Sequence, residues 1–153
     1  MGATAAAAAN TKSALVIDDD DSFRTALCDL LEQRGLAVRT ARDAKEAIRE
    51  LEHGRFGVVF TDIRMPGGGF SVLDEVRAKG EQVPVIFITG SPSVEWRTRA
   101  EAEGAFAYLT KPVGKEQILA VLRSAFERGR GPAELRTALP GKNGEPVRPR
   151  GVG

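Results

Sequence analysis

Through the middle of the chain, short unbroken apolar runs alternate with stretches in which apolar residues recur every three or four positions. Runs of the first kind suit strands buried on both faces and spacing of the second kind suits amphipathic helices. Together they predict a parallel sheet covered on both sides. The strands fall at residues 14–18, 36–40, 57–61, 83–89 and 105–109. Between the first two, Phe23, Ala26, Leu27, Leu30 and Leu31 keep helical spacing, and Gly35 stands where a helix stops. Asp43 with Glu46 forms a cap pattern opening a second helix through Ala44, Ala47, Ile48 and Leu51, with Gly54 behind it. A third runs from Phe70 to Lys79 and closes at Gly80, and a fifth carries Ile118, Val121, Leu122 and Ala125 on one face. The fourth, over residues 93–103, has a thin stripe of Val94, Trp96, Ala100 and Ala102 among charged residues. For Trp96, the chain's only tryptophan, two readings stand: a packed residue, or a partly exposed partner contact. Five strand–helix pairs make a doubly wound α/β, (βα)5 architecture.

A length of 153 residues, 42% of them hydrophobic and 28% charged, suits one compact domain over residues 13–127. Residues 1–12 read as a disordered alanine-rich arm, and residues 128–153 as a flexible basic tail rich in glycine and proline. The net charge of +1 is unevenly spread, since from Glu127 onward six basic residues face three acidic ones. A basic stripe on a folded face, the mark of a nucleic-acid binder, is missing from the pattern, so no direct DNA contact is expected. The single cysteine, Cys28, sits in an apolar-periodic stretch as a small core residue, which excludes a disulfide framework and suits a cytoplasmic location. No run reaches the length of a membrane span, and no anchoring motif is complete, because Ala6 stands where Gly2 would require Ser or Thr downstream.

The chemistry collects where the strands end. In a (βα)5 chain the ligand crevice lies at the carboxyl ends of the strands. There the sequence reads Asp18-Asp19, Thr61-Asp62, Thr89-Gly90 and Thr110-Lys111-Pro112. The run Asp18 to Asp21 is the densest charge in the chain, and carboxylates about 4 Å apart repel by about 4 kcal/mol at an effective dielectric near 20. Such a cluster calls for a compensating cation, with Mg2+ a natural hard partner for oxygen ligands. The alternative is that the acids only open the next helix, with Asp21 as its N-cap.

Four segments, "LVIDDD", "VVFTDIRMP", "VIFITG" and "AYLTKP", stand in an order and spacing that resembles the receiver domain of two-component response regulators. The resemblance spans residues 13–126 and implies a flavodoxin-like fold with a central five-stranded parallel sheet. It implies that Asp62 is the phosphoacceptor, forming an aspartyl phosphate. Asp18, Asp19, an Asp62 oxygen and the backbone carbonyl of Arg64 would hold Mg2+. Lys111 and the Thr89 hydroxyl would contact phosphoryl oxygens, while Thr89 and Tyr108 would act as switch residues. It further implies a histidine kinase or histidine phosphotransfer protein as donor, and a downstream protein target engaged through helix four, strand five and helix five. A homodimer through that same face is a further implied assembly. Lys111-Pro112 would carry a cis peptide bond, although Pro112 also reads as a plain helix-start proline. Tyr108 also reads as a half-buried strand aromatic. By the resemblance the chain is a switch and no enzyme beyond self-phosphorylation and autodephosphorylation.

The chain departs from the family in one loop. After Met65-Pro66 the family has one residue more and an acid before its last glycine, whereas here Gly67-Gly68-Gly69 leads straight to Phe70. That loop motivates a second reading, a docking module that works without phosphorylation. A third, a Mg2+-dependent phosphohydrolase resembling haloacid dehalogenases, shares residue types but not order. That family places its nucleophile after the first strand and an acid pair after the lysine, and only the isolated Glu116 and Glu127 follow Lys111 here. The sole histidine, His53, falls at a helix end before Gly54 and reads as a solvated cap residue.

Overall fold

A computed structural model describes residues 12–80 and 82–128. Strands and helices alternate strictly: β1 Ser13–Ile17, α1 Asp21–Gln33, β2 Ala37–Ala41, α2 Ala44–His53, β3 Val58–Thr61, α3 Gly69–Ala78, β4 Val85–Thr89, α4 Val94–Ala102, β5 Ala107–Thr110 and α5 Lys115–Arg128. The five strands form one sheet in the order β2-β1-β3-β4-β5, with every pair parallel. The chain starts near the middle, winds outward to β2, then returns past β1 to β3. The order therefore reverses at β1, and the carboxyl ends of β1 and β3 flank the crevice that such a reversal opens. The expected arm and tail lie outside the described residues, apart from Lys12 and the backbone of Arg128.

The apolar runs became strands because they are buried on both faces. All residues of β3 and β4 are buried, as are Ala14 to Ile17 of β1. Burying a large side chain such as Phe60 or Phe87 contributes about 1.5–3 kcal/mol, enough to fix the register of these strands against slippage. β2 differs from the expectation of a sheet covered on both sides. It pairs only with β1, and Ala37, Arg39 and Thr40 are exposed, as befits an edge strand protected by a charge. β4 begins at Val85 rather than residue 83, because Pro84 lacks the amide that a ladder partner needs.

Two helix details also depart from the sequence pattern. The N-cap of α1 is Asp20, whose Oδ1 accepts the Phe23 amide at 3.2 Å, so Asp21 moves into the first turn and pairs with Arg24. On the same helix Ala26 is exposed, and the buried stripe narrows to Leu27 and Leu31 with Phe23 and Leu30 half-buried beside them. The cap of α2 is as expected, with Asp43 accepting the Glu46 amide at 2.8 Å. The thin stripe of α4 reduces to one buried residue, Ala100, while Trp96 is half-buried against the core and Val94 is 65% exposed.

Candidate functional site

Four strand ends bring the singled-out residues together. Asp18 follows β1 and Asp62 follows β3, and the two are neighbours because the Asp62 amide donates to the Ile17 carbonyl at 3.0 Å. Both are buried, at 1% and 7% exposure, while Asp19 is exposed at the rim. Lys111, just past β5, reaches across the sheet end. Its Nζ donates to Asp18 Oδ2 at 2.8 Å and to Asp62 Oδ2 at 3.3 Å. The remaining oxygens are also satisfied, with the Asp20 amide on Asp18 Oδ1 at 2.9 Å and the Arg64 amide on Asp62 Oδ1 at 3.1 Å. Asp62 is thus held from two sides, with its carboxylate aimed into the crevice.

Burial is the dominant electrostatic influence on Asp18 and raises its pKa, although the Lys111 hydrogen bond and charge pull the other way. For Lys111 burial alone would lower the pKa, but the hydrogen bond and charge of Asp18, with Asp62 behind them, carry it above the ordinary lysine value. The ammonium is therefore fixed as a cation between two carboxylates at neutral pH. It also sits 4.3 Å above the centre of the Phe23 ring, which backs it from below.

The donor set fits a hard divalent cation. Carboxylate oxygens of Asp18, Asp19 and Asp62 lie within 4.8 Å of one another, one ligand atom from each. All are oxygen donors, the type Mg2+ prefers, and Asp19 forms no hydrogen bond or ion pair with other described residues. Arg64, the fourth expected contributor, donates its backbone amide to Asp62.

The hydroxyl at the end of β4 is placed beside this group but is engaged elsewhere. Thr89 is fully buried, and its Oγ1 accepts the Ser91 amide at 3.1 Å, closing the turn after the strand. Tyr108 is buried too, at 1% exposure, so the half-buried reading is corrected. Its hydroxyl accepts the Ser93 amide at 3.3 Å, and the Arg97 guanidinium lies 5.4 Å from the ring centre. This links the N-cap of α4 to β5 beneath Thr89. The Lys111–Pro112 bond is cis, as the resemblance implied. His53 is exposed at the far end of α2, its Nδ1 2.8 Å from the Arg49 carbonyl oxygen, away from the crevice.

The glycine loop has a geometric explanation. Gly67 has a φ of +85°, and a Cβ there would lie 2.6 Å from that of Ala44, so the loop packs directly on the start of α2. Gly69 approaches closest of all, with a built Cβ only 2.2 Å from the Asp62 carbonyl oxygen. Its amide donates to the Ile63 carbonyl at 3.0 Å, folding α3 tightly back on the segment after Asp62. Two of the three glycines, Gly67 and Gly69, are therefore required by close contact.

Some contributors escaped the sequence reading. Arg24 donates from Nη1 to the Asp18 carbonyl at 2.6 Å, tying α1 to the strand end. Phe23 supports Lys111, and Asp20 supplies both a cap and an amide to Asp18. The only local signal was the spacing of Asp21 and Arg24 three apart on one helix.

The family model of the response regulator receiver domain matches residues 14–123. The chain belongs to that family. The C4-dicarboxylate transport transcriptional regulatory protein DctD of Pseudomonas aeruginosa is 38% identical over 124 residues, covering 80% of this chain and 27% of its own. The transcriptional regulatory protein FixJ of Azorhizobium caulinodans is 38% identical over 114 residues, 74% of this chain and 54% of its own. This receiver thus spans about half or less of the length of the curated relatives it matches. Among solved structures, a response regulator receiver domain protein from Clostridium thermocellum shares 33% identity at a TM-score of 0.71, covering 76% of this chain and 95% of that one. The beryllofluoride-activated NtrC4 receiver domain dimer shares 34% at 0.71, covering 76% and 97%. The flavodoxin-like fold is therefore as expected, and the chain is a two-component signalling receiver. Among the described residues no helix is long and apolar enough to cross a membrane.

Proposed function

We propose that this receiver accepts a phosphoryl group on Asp62 from a phosphohistidine of a histidine kinase or phosphotransfer protein. The observation that carries the reading is the shared lysine: one half-buried cation holds the carboxylates of Asp18 and Asp62 together at the mouth of the crevice. In the transfer an Asp62 oxygen attacks phosphorus, the phosphorus–nitrogen bond breaks, and the imidazole leaves with a proton from solvent. Lys111 exchanges a carboxylate for a phosphoryl oxygen, and its charge, held fixed beforehand, needs no reorganisation. The Thr89 hydroxyl releases the Ser91 amide and donates to a second phosphoryl oxygen. Mg2+, held by Asp18, Asp19, Asp62 and the Arg64 carbonyl, would neutralise charge on the phosphoryl group.

Movement of Thr89 then reaches Tyr108, whose hydroxyl is tied to the first amide of the α4 cap region. A change there biases the face formed by α4, β5 and α5 between two states and alters its affinity for a protein partner. The receiver works as a stoichiometric switch, with no turnover of external phosphate esters.

The test is intact mass after treatment with acetyl phosphate and Mg2+. Wild type should gain about 80 Da, one phosphoryl group, and Asp62→Asn should gain none. Labelling retained in Asp62→Asn refutes the assignment. A wild type that takes no label from either acetyl phosphate or a phosphohistidine donor favours the phosphorylation-independent docking module instead.

A further inference from the structure

At the opposite end of the sheet from Asp62, the receiver has a groove of about 210 Å³ lined by Lys12, Arg34, Leu36, Leu119, Leu122, Arg123 and Phe126. Lys12 and Leu36 stand at the amino ends of β1 and β2, so the five residues of β1, about 17 Å of strand, separate this groove from the phosphoacceptor. Its floor is apolar. Leu36 and Leu122 are buried, with Leu119 and Phe126 half-buried against the core. Among the described residues the rim is cationic, because Lys12, Arg34 and Arg123 are exposed and no described carboxylate lines the groove.

None of these three side chains forms an ion pair or hydrogen bond with another described residue. Some exposed arginines elsewhere are paired, Arg39 with Glu50, Arg42 with Glu46 and Arg99 with Glu103, but here three cations stand together without a carboxylate partner among the described residues. A single cation near the end of α1 is an ordinary complement to the helix dipole. Three unpaired cations converging on an apolar floor go further, concentrating positive potential over a surface that gains from being covered.

We propose that this groove docks an acidic segment of a partner protein, with one bulky apolar side chain seated on the leucine floor and carboxylates facing Lys12, Arg34 and Arg123. Charge complementarity names the partner's sign. The volume, below the roughly 300–1,000 Å³ of small-ligand sites, suits one or two side chains rather than a whole cofactor. The chain's own C-terminal stretch is an unsuitable occupant, since from Glu127 onward it carries six basic residues against three acidic ones. The docking site is separate from the crevice and does not depend on the phosphoacceptor assignment.

The test is fluorescence anisotropy of the full chain with labelled probes. The first probe is a short glutamate-rich peptide with two leucines three positions apart. The comparators are the same peptide with serine for leucine, the same with lysine for glutamate, a short single-stranded RNA, and phosphatidylglycerol vesicles. The acidic leucine peptide should bind tightest, and Arg34→Ser with Arg123→Ser should weaken it about five- to tenfold. Leu119→Gln should weaken it at unchanged charge, whereas Asp62→Asn should leave it unaltered. Both arginines are exposed, so their replacement leaves the fold intact, as circular dichroism will verify. Binding that survives the double arginine variant belongs to the basic C-terminal stretch and overturns the proposal. Equal affinity for the serine peptide, preference for RNA or vesicles, or no binding of the acidic leucine peptide overturns it as well.

Discussion

Replacing Lys111 by methionine keeps the length of the side chain and removes only the charge, which makes it the sharpest probe of the acidic crevice. The ammonium lies 2.8 Å from Asp18 Oδ2 and 3.3 Å from Asp62 Oδ2. At an effective dielectric near 20 each contact amounts to about 5–6 kcal/mol of Coulomb attraction before desolvation is counted. Without the lysine, carboxylate oxygens within 4.8 Å of each other are left facing one another, repelling by about 3.5 kcal/mol on the same scale. The loss has a ceiling, because the orphaned pair can escape by binding a proton. Protonating an ordinary aspartate at pH 7 costs about 4 kcal/mol, and less for Asp18, whose pKa burial already raises. Lys111→Met should therefore lose about 2–4 kcal/mol, in line with breaking other buried pairs. The assay is urea denaturation followed by circular dichroism, in EDTA at pH 7, for wild type, Lys111→Met, Asp18→Asn and the double variant. Coupling of about 2 kcal/mol between the two positions is expected. If Lys111→Met stays within about 0.5 kcal/mol of wild type and the two changes add, the lysine does not hold the crevice together and the electrostatic argument fails.

Other consequences of the geometry are as direct. Mg2+ should raise the melting temperature of wild type, since binding only the folded state stabilises it; Asp19→Asn should lose most of that shift, and an undiminished shift in the variant removes Asp19 from the ligand set. Gly69→Ala puts a methyl 2.2 Å from the Asp62 carbonyl oxygen and should cost about 3 kcal/mol or more, whereas Gly68→Ala meets open space and only the strain of its φ of +80°, about 1–2 kcal/mol. Equal melting temperatures for those two variants would contradict the close approach. Tyr108, the only tyrosine, is raised above the ordinary value near 10 chiefly by burial, against the Ser93 hydrogen bond and the Arg97 charge that lower it, with Asp62 adding to the rise. The folded phenol thus holds its proton more tightly than the unfolded one. Its contribution to stability is complete below about pH 10 and is lost as pH rises through the folded value, so tyrosinate absorbance should titrate above 10. A midpoint at or below 10 would mean that the ring is not sealed beneath Thr89.

What the sequence determined by itself was the order of elements and the chemistry at the strand ends. β1, β3 and β4 are legible as unbroken apolar runs because strands buried on both faces tolerate almost nothing else, and a run that ends in Asp or Thr marks where the chain leaves the core. The motifs around Asp18, Asp62, Thr89 and Lys111 pointed to the receiver family through their resemblance to it. Tertiary structure decided which of these side chains meet. Lys111 pairs with Asp18 from 93 positions away and with Asp62 from 49, through a sheet order in which β5 is not even adjacent to β1. Periodicity is a local signal and carries no record of such crossings. The same limit hid the choice of Asp20 over Asp21 as cap, the steric demand on Gly69 and the cationic groove at the far end of the sheet. Each depends on how close two distant stretches of backbone come, and that distance is set only when the whole core closes.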